Sequence, residues 1–228
     1  MNDKIILSEQ QLYGFYSVNI EYFSLGSDLN FLQIMGVSYN DYLSFNNLYL
    51  YHADEEKLVK ALDLCEETNG SAKSVCGVSE SEDEIQADLS LQPQETGRIG
   101  WQFNYLWQDG QFHLKSDTAE VHSLLGEISY PEDEYEQLFA KNQYKAANPL
   151  TFYTDTALEQ PAFTADRNHT LNLLNIKVTD DQFYLQFEKD GTTGWQRVNS
   201  AEYIYDFDSD LPPSETGWFY GVYDRLAG

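Results

Sequence analysis

The strongest pattern along the chain has a period of two. In Ile99-Gly-Trp101-Gln-Phe103-Asn-Tyr105-Leu-Trp107 every odd position is large and apolar, while Gly100, Gln102 and Asn104 fall on the opposite side. Successive side chains of a strand point to opposite faces, so this run predicts a half-buried β-strand. Asp109-Gly110 follows, and Phe112 and Leu114 then alternate with Gln111, His113 and Lys115. An Asp-Gly step between alternating runs predicts a hairpin, because glycine adopts positive φ without steric cost. Ile85, Ala87, Leu89 and Leu91 predict a further strand, as do Leu48–Tyr51 and Phe31–Val37, the latter covered on both faces. Lys57–Leu62 reads as the return strand of a hairpin begun by Leu48, with Asp54-Glu55-Glu56 as its turn. Residues 28–115 are therefore expected to form an antiparallel meander of about five strands.

A proline and a run of acids at Pro131–Glu134, followed by Leu138-Phe139-Ala140-Lys141, predict one short helix. Beyond it, strands are expected at Leu150–Tyr153, Leu171–Leu174, Ile176–Val178, Phe183–Phe187 and Gly194–Val198, the later ones separated by Asp180-Asp181 and Asp190-Gly191. Five short strands in about sixty residues suggest a small barrel. The expected fold class is mainly β. A sheet domain at 1–130 is followed by a helical connector at 131–148, a barrel at 149–207, and an aromatic tail at 208–228 that packs back on the fold.

Residues 149–206 resemble a bacterial SH3-like domain. Phe152-Tyr153-Thr154-Asp155 stands at the family's opening motif, Ile176-Lys177-Val178 at its middle strand, and Phe183–Phe187 at the next. Asp190-Gly191-Thr192-Thr193-Gly194-Trp195 carries the closing D-G-x-x-G-W pattern. The resemblance implies a five-stranded barrel and a cell-envelope role in which Tyr153, Tyr184 and Trp195 stack on a glycan; Trp195 reads equally as a core residue. The first half is loosely similar to exported bacterial β-modules, on the segment Tyr105–Leu114.

Charge changes the picture most. Thirty-eight Asp and Glu against thirteen Lys and Arg leave 228 residues with a formal charge of −25, alongside 17 Tyr, 13 Phe and 4 Trp. Such a field repels nucleic acid and anionic lipid and speeds encounter with a cationic partner. No run approaches the roughly 18 apolar residues of a membrane span. The segment Met1–Leu7 lacks the flank and apolar stretch of a secretory signal, which leaves a cytoplasmic chain or a periplasmic or secreted one whose leader has been removed. Cys65 and Cys76, eleven positions apart around a polar stretch, favour the exported reading through an expected disulfide.

No catalytic signature emerges. G-x-S-x-G, H-E-x-x-H and the glycine-rich phosphate loops are missing, and His52, His113, His122 and His169 are scattered. Asp206, Asp208 and Asp210 open like a calcium loop, but Leu211 and Gly217 stand where that loop needs glycine and glutamate. They read as a solvated acidic loop or a looser binding site. In the aromatic segment Gly217–Tyr223, Trp218 and Tyr220 are either packing residues or interface anchors. The expectation is a non-catalytic acidic binding protein without cofactor or metal. Its partner would be a basic protein held by occlusion, as an inhibitor or immunity protein does, or alternatively cell-wall glycan.

Overall fold

The computed structural model describes residues 15–26, 28–38, 43–52, 57–64, 74–80, 84–126, 133–179, 182–198 and 217–222. The fold is mainly β. Fifteen strands run in chain order: β1 Phe15–Leu25, β2 Leu29–Ser38, β3 Leu43–His52, β4 Lys57–Asp63, β5 Ser74–Glu80, β6 Glu84–Leu91, β7 Ile99–Gln108 and β8 Gln111–Leu114, then β9 Thr118–Ser123, β10 Gln143–Lys145, β11 Leu150–Tyr153, β12 Pro161–Ala165, β13 Thr170–Val178, β14 Phe183–Lys189 and β15 Thr192–Val198. Among the described residues one α-helix, α1, spans Glu134–Phe139. The chain divides into two units, residues 1–89 with 103–116 and residues 90–102 with 117–228, so the division falls within β6 and β7.

In the first unit β1 to β4 form a four-stranded antiparallel sheet in sequence order. Its buried face carries Phe23, Leu25, Phe31, Leu48 and Leu62. Phe31 is the hub, stacked on Phe23 at 5.3 Å and meeting Trp107 and Phe112 at 5.1 and 5.2 Å. Each such ring pair adds about 0.5–1.5 kcal/mol beyond the area it buries. Asp109 (φ 53°) and Gly110 (φ 84°) turn β7 into β8, the left-handed pair that a two-residue hairpin needs. Among the described residues of 28–115 there are seven strands, β2 to β8, rather than about five. β1 also precedes them, where Tyr16, Val18, Ile20 and Tyr22 alternate with Ser17, Asn19 and Glu21 in the same period of two, so the sheet begins before the expected meander.

In the second unit the strand order is β12-β11-β15-β14-β13-β9-β7, with β10 on β13. The segments expected as two strands at 171–174 and 176–178 are one strand, β13. Its register shifts between Leu173 and Asn175, so Leu171 and Leu173 before the bulge and Ile176 and Val178 after it are all buried. The extra residue re-phases the alternation that otherwise looks broken. Tyr144, fully buried, gathers Phe139, Phe187 and Phe219 at 5.1, 5.9 and 5.0 Å. α1 is capped by Asp133, whose carboxylate accepts from the Tyr135 and Glu136 amides and satisfies two otherwise orphaned donors. Among the described residues no helix is long and apolar enough to cross a membrane.

Candidate functional site

The antiparallel register of the second unit places three aromatic side chains on one sheet face. Tyr153 of β11 lies opposite Trp195 of β15, and Trp195 lies opposite Gln186 of β14. Tyr184, two positions before Gln186 and so on the same face, lies opposite Arg197. The other face takes Phe183, Leu185 and Phe187 into the core, which leaves Tyr153, Tyr184 and Trp195 half-buried and partly open to solvent.

Beyond the rings, the face becomes a ladder of paired polar groups. The Asn175 amide donates to Gln186 at 2.7 Å, Gln143 donates to Asn172 at 3.0 Å, and Asn172 donates to the Glu188 carboxylate. Glu188 also accepts the Gly191 amide in the turn. That backbone N–H first, and the Asn172 amide second, hold the Glu188 carboxyl below its ordinary range. Lys177 pairs with Asp117 at 3.2 Å. Burial pulls the Asp117 carboxyl up, but the Thr118 hydroxyl and the Lys177 ammonium together outweigh it and leave the group below its usual value. Flat aromatic surface beside fixed amides suits stacking with hydrogen bonding.

A second aromatic group lies at Gly217–Val222. Ala146 and Phe219 form a β-bridge, Ala147 donates to the Trp218 carbonyl at 2.8 Å, and Asn148 donates to the Gly217 carbonyl at 2.9 Å. Phe219 and Val222 are buried, whereas Trp218 and Tyr220 are half-buried. Tyr220 stacks on Tyr135 at 5.9 Å and accepts a hydrogen bond from Arg167 Nε at 2.6 Å. Tyr135 and Arg167 carried no sequence signal, because their meeting depends on a bridge between segments seventy residues apart.

Of the remaining expected residues, Cys76 lies in β5, while Cys65, Asp206, Asp208 and Asp210 lie outside the described residues. Among the described residues no group of three or more His, Cys, Asp and Glu side chains is placed to hold a metal ion. Comparison with protein-family models, with curated proteins and with solved structures finds no match for this chain.

Proposed function

We propose that this chain is a non-catalytic binding protein of the cell exterior or periplasm that captures a basic protein and occludes its working surface. The observation that carries the reading is how the positive charge is spent. Lys60, Lys115, Lys145 and Lys177 each stand within 3.2 Å of a carboxylate of their own unit. Four of the thirteen Lys and Arg are thus engaged locally, and the chain as a whole carries a formal charge of −25. A field of that sign raises the association rate of a cationic partner more than it deepens the complex.

The test is stopped-flow association with lysozyme as a basic probe, across a series of NaCl concentrations. The rate is expected to fall about tenfold or more between roughly 20 and 150 mM salt, as the screening length shrinks. A rate that ignores salt overturns the reading.

A second reading, an SH3-like envelope module that binds glycan, is favoured by one observation: Tyr153, Tyr184 and Trp195 share a sheet face. Co-sedimentation with purified peptidoglycan that is lost in Trp195→Ala and Tyr184→Ala supports it. Sedimentation unchanged by those substitutions removes it.

A further inference from the structure

Among the described residues β1 is hydrogen-bonded on one side only, to β2. An edge strand carries unpaired N–H and C=O groups, and natural proteins blunt it with lysine, proline or burial. Along Val18–Tyr22 β1 has no lysine, proline or burial, and its one charge is Glu21. No Lys or Arg occurs anywhere between Lys4 and Lys57, and no proline lies in the strand. Its one irregularity, a register shift between Phe15 and Ser17, lies before this stretch.

The same stretch is exposed on both faces. Val18, Ile20 and Tyr22 are 50%, 64% and 64% exposed on one face, and Asn19 and Glu21 are exposed on the other. Opposite them on β2, Ile34 and Leu32 are half-buried and continue the apolar surface. Val18, Ile20 and Tyr22, with Leu32 and Ile34 beside them, make a contiguous apolar surface on the edge strand, the kind of surface that marks an interaction site.

We propose that the open edge of β1 takes up a cationic, amphipathic β-strand of a partner protein. Main-chain hydrogen bonds add the strand to β1. Its alternate apolar residues pack on Val18, Ile20 and Tyr22, and its Lys or Arg residues project beside Asn19 and Glu21. Charge selects this occupant over a second copy of the chain, because pairing two copies would bring two formal charges of −25 together. The inference rests on the capture of a basic partner proposed above and names where that capture begins.

The test uses the full chain and three peptides about eight residues long, the usual span of a strand. One alternates Lys and Val, one alternates Glu and Val, and one is the Lys–Val peptide with alternate amides N-methylated. The Lys–Val peptide is expected to bind and to slow amide exchange across residues 17–22. The N-methylated form and the Glu–Val form should each bind at least about tenfold more weakly, a difference near 1.4 kcal/mol. Ile20→Lys, an exposed change that leaves the core untouched, should weaken the Lys–Val peptide to a similar extent.

Equal binding by all three peptides, exchange protection elsewhere than β1, or a dimer broken by Ile20→Lys would overturn the inference. Lysozyme separates its failure from that of the broader reading. Salt-sensitive capture of lysozyme with no binding of the Lys–Val peptide rejects the edge alone, and loss of both rejects the two together.

Discussion

Gly194 sits on β15 with its backbone against the stacked rings of Phe152 and Phe163. A methyl group there would lie 2.7 Å from Phe152 Cβ and 3.0 Å from Phe163, closer than packed carbons tolerate. Gly194→Ala is expected to cost about 1–3 kcal/mol in urea denaturation, whereas Thr193→Ala on the exposed face should stay within about 0.5 kcal/mol. Glu188 offers a test in pH. Its folded-state carboxyl is held below the ordinary value by Gly191 and Asn172, so the folded chain binds fewer protons than the unfolded one. The stabilisation is complete above the ordinary glutamate value of about 4.3 and disappears as pH falls through the lower folded value. Wild type should therefore exceed Glu188→Gln in stability at neutral pH, with the gap closing below about pH 4. A gap that persists unchanged in acid would refute the assignment.

At the scale of elements, the segment Gly217–Val222 is held by Phe219. Its ring lies 5.0 Å from Tyr144 and 5.3 Å from Phe187, and its backbone bridges Ala146. Phe219→Ala is expected to cost about 3–5 kcal/mol and to shift Trp218 fluorescence to the red as the segment loosens. If Trp218 emission stays put while stability falls, the segment is anchored by its backbone bonds instead. β13 shows why elements are harder to read than residues. Its sequence Leu-Asn-Leu-Leu-Asn-Ile-Lys-Val switches the apolar phase at Leu174, and only the observed pairing with β14 makes the switch a bulge rather than a strand break.

For the molecule as a whole, the charge of −25 is the largest electrostatic quantity present, and the salt dependence of association is its measurable consequence. The field acts at a distance and needs no particular fold. The contacts proposed above, on the aromatic face of the second unit and the open edge of the first, do need one.

The amino-acid sequence by itself determined the mainly β character, the turns at Asp109-Gly110 and Asp190-Gly191, and the excess of carboxylates. These are local: a two-residue period and a positive φ are written in adjacent side chains. Only the tertiary structure decided that β13 lies between β9 and β14, that Tyr153 meets Trp195, and that β1 ends its sheet with Val18, Ile20 and Tyr22 in water. Any alternating strand offers the same backbone donors and acceptors to any other. The choice of neighbour is settled by burying side chains far apart in the chain, which no local pattern records.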